Sequence, residues 1–142
     1  MKYAPTAARI VLGLLFVVAG ASGFALINSP PPMPGLAGAF QDVFFKSRWV
    51  LFADAVQLIA GILLLANRYV PVALMMLAAV IYNILAFHIT MMPSGIVPGL
   101  IALLLWYVVA RQYQSLFAPL FVARPPIDAE RDSHAAQSVS QL

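Results

Sequence analysis

Long apolar stretches alternate with short polar breaks along this chain. Four apolar runs stand out: Ala8 to Ile27, Trp49 to Ala66, Val70 to Met92 and Ile96 to about Tyr113. An α-helix rises about 1.5 Å per residue, so about 20 residues cross the roughly 30 Å hydrocarbon layer of a bilayer. Each run is close to that length. Apolar residues continue round every face rather than forming one stripe, as a helix with lipid on one side and protein on the other requires. The alternation of a barrel strand is missing, which leaves helix as the spanning conformation.

The breaks are built from helix-stopping residues. Asn28-Ser29-Pro30-Pro31-Pro32-Met33-Pro34-Gly35 cannot continue a helix, because proline removes a donor and disfavours helical geometry in the residue before it. Asn67-Arg68 followed by Pro71 predicts a tight reversal, with the proline in the first turn of the next helix, where it is tolerated. Pro93-Ser94-Gly95 closes the third run, and Pro98 lies early in the fourth. Between the proline segment and the second run, Leu36, Phe40, Val43 and Phe44 recur at helical spacing over residues 36–47. Asp42 and Lys46, four apart, can pair there. This predicts a short helix lying on the membrane surface. From Pro125 the chain turns polar, and residues 124–142 read as a disordered tail outside a transmembrane domain of residues 1–123.

Composition sharpens this reading. Of 142 residues, 63% are hydrophobic and 9% charged, with a mean hydropathy of +0.92. A soluble domain carries about 25% charged residues, and so short a chain could not hide this much apolar surface from water. The expected fold is therefore all-α: an integral membrane four-helix bundle, with the lipid bilayer as its principal partner. The absence of cysteine removes disulfides, thiolate metal sites and cysteine nucleophiles. The net charge of +3 is scattered, with no basic patch for nucleic acid. With four crossings, Lys2, Arg9, Arg68, Arg111, Arg124 and Arg131 share one side and only Lys46 and Arg48 the other. Lys/Arg excess marks cytoplasmic loops, so both termini are expected in the cytoplasm. Ala19-Gly20-Ala21 offers a signal-peptidase pattern, but the apolar run continues through Phe24 to Ile27, and a retained first helix is expected.

Ionisable and polar groups at membrane depth are costly and face a bundle interior or a wet cavity. Asp54, Gln57 and Gly61 share a face of the second helix, and Asn83, Phe87 and Thr90 a face of the third. Asp54 lies twelve residues before Ala66, Asn83 thirteen after Val70 and Ser22 fourteen after Ala8, all roughly 18–20 Å from the turn side. A polar layer of Ser22, Asp54, Gln57, Tyr82 and Asn83 is expected in the outer half, with His88 nearer the surface. Two readings compete: structural hydrogen bonds between helices, or a ligand or proton site. His88 beside Met91 and Met92 suggests soft-metal ligation, but methionine is an ordinary apolar filler, and no metal is expected. Gly13, Gly20 and Gly23 suit close helix packing. Trp49, Trp106 and Tyr107 are expected at the interface or facing lipid. No catalytic constellation is visible.

The stretch Ala8-Arg9-Ile10-Val11-Leu12-Gly13-Leu14-Leu15-Phe16 with Gly20 and Gly23-Phe24 resembles the opening of DoxX-like membrane proteins. The proline segment, Gln57 to Leu65, Asn67-Arg68-Tyr69-Val70-Pro71, Asn83 to His88 and Pro93-Ser94-Gly95 extend the resemblance over residues 8–120. It implies a four-helix fold in a bacterial cytoplasmic membrane and a non-catalytic subunit or accessory factor, with a membrane redox partner, quinone-linked chemistry or a homo-oligomer as its context. Relatives often carry Glu where this chain has Gln57, which leaves Asp54 as the nearby carboxylate. The alternative is a protein that binds or transports a small molecule or quinone in a pocket around Asp54 and Asn83. A third reading, an enzyme acting on a lipid or quinone, needs a cofactor or partner that the chain does not display.

Overall fold

A computed structural model describes residues 3–122 of the chain; the polar tail expected over residues 124–142 lies outside them. The described residues fall into two units, one reaching to Gln112 and one beginning at Tyr113. The first holds five helices: α1 (Ala4–Ala25), α2 (Gly35–Lys46), α3 (Trp49–Leu65), α4 (Val70–Met91) and α5 (Ile96–Ala110). The second begins with a single helical turn, α6 (Gln114–Phe117), continued by a tighter turn over Ala118–Phe121.

The helix ends follow local chemistry. Helix α1 starts at Ala4, four residues before its expected start, because Pro5 in the first turn presets the helical φ. It stops at Ala25, where Leu26 leaves helical geometry and its N–H closes on the Ser22 carbonyl. Helix α5 ends at Ala110 and tightens into a turn over Arg111–Tyr113, so the expected helix to Tyr113 is regular only over its first part. Both helix entries that follow a reversal use a left-handed residue, Arg48 before α3 (φ 63°) and Tyr69 before α4 (φ 52°). That conformation costs about 1–2 kcal/mol in an L-residue and turns the chain sharply. Arg48 sits where α2 and α3 meet at 86°.

Three helical segments are long and apolar enough to cross a membrane: Ala4–Ala25, Val70–Met91 and Pro93–Phe121. The bent pair α2 and α3 makes a fourth if counted as one span. Helix α3 alone measures about 25 Å. Large apolar side chains stay exposed on every long helix of the first unit, Val18, Phe52, Ile89 and Leu104 among them. Such a surface is compatible with lipid and costly in water.

Helix α1 packs most extensively on α3; α3 also packs on α4, and α5 closes against α1 and α4. Leu12, Phe16, Leu64, Leu74, Leu77, Ile81 and Val109 are fully buried between them. The α1–α3 contact is close because glycines face each other. A Cβ on Gly61 would come 2.8 Å from both the Gly13 carbonyl oxygen and the Val17 backbone nitrogen. At the turn end, the Arg9 guanidinium donates to the Leu64 carbonyl, placing a cation at the C-terminus of α3, where the helix dipole favours it. Trp106, expected to face lipid or the interface, is half-buried, and its Nε1 donates to the Leu74 carbonyl at 2.8 Å. A buried indole keeps its N–H satisfied in this way. Trp49 and Tyr107 are exposed.

Candidate ligand cavity

The 86° bend lays α2 across the ends of α3 and α4, and a cavity of about 580 Å³ opens beneath it. Its walls are mostly apolar: Met33 from the proline segment, Phe40, Phe44 and Phe45 from α2, Trp49 and Val56 from α3, and Met76, Ile84 and Phe87 from α4. The aromatic rings are mutually packed. Phe40 stacks on Phe44 and leans on Phe87, with centroids 5.5 Å apart in both pairs. Four polar side chains interrupt this wall: Gln41, Gln57, Asn83 and His88.

Gln41 is the polar group that the sequence reading passed over. The surface helix was expected to be defined by Leu36, Phe40, Val43 and Phe44. In the fold its buried positions are Ala37 and Gln41, while Leu36 and Val43 are strongly exposed. Gln41 is only 8% exposed and makes no side-chain hydrogen bond with another described residue. The available signal was spacing, since Gln41 lies one turn after the small Ala37 in an otherwise apolar stretch. Asp42 and Lys46 pair on the open side, Lys46 Nζ donating to Asp42 at 2.8 Å.

The expected polar layer divides between different places. Gln57, Asn83 and His88 line the cavity. Asp54 lies behind Gln57, at the α1–α3 contact, and is 6% exposed. Gln57 Nε2 donates to Asp54 Oδ1 at 2.8 Å. Asp54 Oδ2 is buried with no hydrogen-bond partner among the described residues, and it packs so tightly on α1 that a Cβ on Gly23 would come 1.5 Å from it. Ser22 donates to the Val18 carbonyl of its own helix. Tyr82 is 72% exposed and lines a separate, smaller cleft with Leu103 and Trp106 between α4 and α5.

None of these groups ties one helix to another. Asn83 Nδ2 donates to the Ala79 carbonyl, His88 Nδ1 meets the Ile84 carbonyl and Thr90 donates to the Ala86 carbonyl, each at 2.8 Å and four residues back. The Gln57–Asp54 bond is also within one helix. Among the described residues, side-chain hydrogen bonds between helices come instead from Arg9 and Trp106, and the Arg48–Asn28 contact at 3.3 Å joins two connecting segments.

His88 is placed by a glycine. A Cβ on Gly95 would come 2.7 Å from His88 Nε2 and 3.0 Å from Met92 Cε, so the ring and the thioether share the space that a side chain there would fill. Its Nδ1 faces a carbonyl, which only accepts, so Nδ1 carries the hydrogen. Among the described residues no group of three or more His, Cys, Asp or Glu is placed to hold a metal ion.

Comparison of the chain with protein-family models, with curated proteins and with solved structures finds no match.

Proposed function

We propose that this chain is a DoxX-like four-helix membrane protein of the bacterial cytoplasmic membrane, with both termini in the cytoplasm, that binds a ring compound of the quinone class beneath α2. The accessory-subunit role and the binding role join in this reading. The chain contributes a pocket, and a membrane redox partner contributes electron transfer.

The observation that carries it is Gln41, a residue only 8% exposed whose side chain lines the aromatic-walled cavity and has no hydrogen-bond partner among the described residues. A ligand that fills the cavity without hydrogen-bonding this amide would cut it off from other partners at a cost of about 1–3 kcal/mol, so the site favours a ligand that carries polar atoms. A volume near 580 Å³ lies within the roughly 300–1,000 Å³ of small-molecule sites. Apolar walls with a few polar groups suit a flat ring whose oxygens need partners. The geometry favours binding over interhelical bonding for Gln57 and Asn83, because neither bonds a neighbouring helix.

Trp49 lines the cavity and Trp106 does not, so fluorescence can report occupancy. In a Trp106→Phe background, titration of micelle-embedded protein with a short-tailed benzoquinone is expected to quench Trp49 saturably. Gln41→Leu should weaken that binding about tenfold. Linear, unsaturable quenching, or identical titrations with and without Gln41, rejects the reading.

A further inference from the structure

Hydrogen-bond polarity at the cavity is set from behind its wall. Asp54 is not among the lining residues, yet its Oδ1 takes the Gln57 Nε2 hydrogen bond at 2.8 Å. With Nε2 donating to Asp54 Oδ1, the nitrogen of the Gln57 amide is turned toward Asp54 and its carbonyl oxygen away. Asp54 itself has little freedom to move. Its second oxygen is buried against Gly23, and no described donor reaches it.

Asn83 is held the same way round. It spends one amide hydrogen on the Ala79 carbonyl, leaving its own carbonyl oxygen free. His88 turns Nδ1 to the Ile84 carbonyl and packs Nε2 against Gly95, which is not a lining residue. Each of the two amides keeps one spare N–H, but both lone pairs of each carbonyl oxygen are unused. Free acceptor positions therefore outnumber free donors on Gln57 and Asn83. Gln41, unbonded, can offer either end.

We infer that Asp54 is a positioning residue that fixes Gln57 with its carbonyl oxygen toward the cavity, so that the site selects ring compounds that donate hydrogen bonds, phenols and hydroquinones, over rings that only accept. This rests on the binding reading above and names the ligand class for the same cavity. A hydroquinone has the shape of its quinone and differs at the two oxygens, where it donates instead of only accepting. A site whose fixed groups mismatch a ligand's polarity leaves buried groups unpaired, which is the strongest source of discrimination between near-isosteres.

The test compares tetramethyl-hydroquinone with tetramethyl-benzoquinone, titrated anaerobically against Trp49 fluorescence in the Trp106→Phe background. Partition into micelles is common to all variants, so a change in the affinity ratio between the two probes reads the site. Asp54→Asn keeps the shape but lets the Gln57 amide adopt either orientation. The expected result is a preference for the hydroquinone in the parent protein that falls about tenfold in Asp54→Asn. Gln57→Leu should lose the same preference, and the double variant should lose no more than either single one. If Asp54→Asn fails to fold, Gly23→Ala, which pushes the Asp54 carboxyl group off Gln57 while keeping both side chains, replaces it and should lose the same preference, because a purely structural role would weaken both probes equally. An unchanged ratio in the variants, or a parent protein that prefers the quinone, overturns the inference while leaving binding intact. Failure of both probes to bind the parent protein saturably overturns the binding reading as well.

Discussion

The contact between Asp54 and Gly23 shows how much one missing side chain can decide. Asp54 was legible in the sequence as the costly acid of the second apolar run, and its pairing with Gln57 on the same helical face follows from i, i+3 spacing. That its free oxygen rests on a glycine of α1 was not legible, since it depends on the rotation of two helices about their axes. Gly23→Ala puts a methyl group 1.5 Å from Asp54 Oδ2, so the carboxyl group must swing aside and its bond to Gln57 must break. We expect a loss of about 1–3 kcal/mol, read as a lower thermal midpoint in detergent. The Gly23→Ala/Asp54→Ala double variant should be no less stable than Asp54→Ala alone, because the methyl then fills space that the acid has vacated. Additive losses in the two substitutions would place the acid elsewhere.

At the scale of the element, α1 and α3 owe their closeness to glycine and α2 owes its direction to one backbone angle. A Cβ on Gly61 meets backbone atoms of α1 at 2.8 Å, and backbone cannot rotate out of the way as a side chain can. Gly61→Ala should therefore separate the two helices and lower stability by about 2 kcal/mol, whereas Ile62→Ala, at an exposed position on the same helix, should cost clearly less. Chemical or thermal unfolding in micelles distinguishes the two. The small-residue pattern of α1 announced a packing face, and the partner on α3 was half visible in Gly61. The 86° bend was not visible. Ser47 and Arg48 carry no proline or glycine, and the left-handed turn at Arg48 is held by the packing of α2 on α3 and α4 and by the Arg48–Asn28 hydrogen bond, all of them nonlocal.

For the whole molecule, the topology proposed above makes a direct prediction. The chain contains no cysteine, so single cysteines report sidedness without background. A membrane-impermeant maleimide applied to intact cells is expected to label Ser29→Cys and Ser94→Cys, and to label Asn67→Cys only after permeabilisation. Labelling of Ser29→Cys and Asn67→Cys from the same side would mean that the bent pair α2 and α3 does not cross. The expectation rests on the basic residues of the turn side, Arg9, Arg68 and Arg111 among the described ones, since Lys/Arg excess marks cytoplasmic segments.

Length and hydropathy belong to local stretches of sequence, and they alone determined that the chain is helical, roughly where its long helices run and that Pro93 closes α4. These properties need no knowledge of neighbours, because each follows from a residue's transfer cost or its own backbone. The cavity is of another kind. It exists because α2 folds back over α3 and α4, burying Gln41 and gathering Phe40, Phe44 and Phe87 around a space to which Tyr82 and Ser22, equally polar in the sequence, do not contribute. Which polar groups meet, and which turn back to their own helix, depends on helix rotation and bend angle, and only the packed structure sets those.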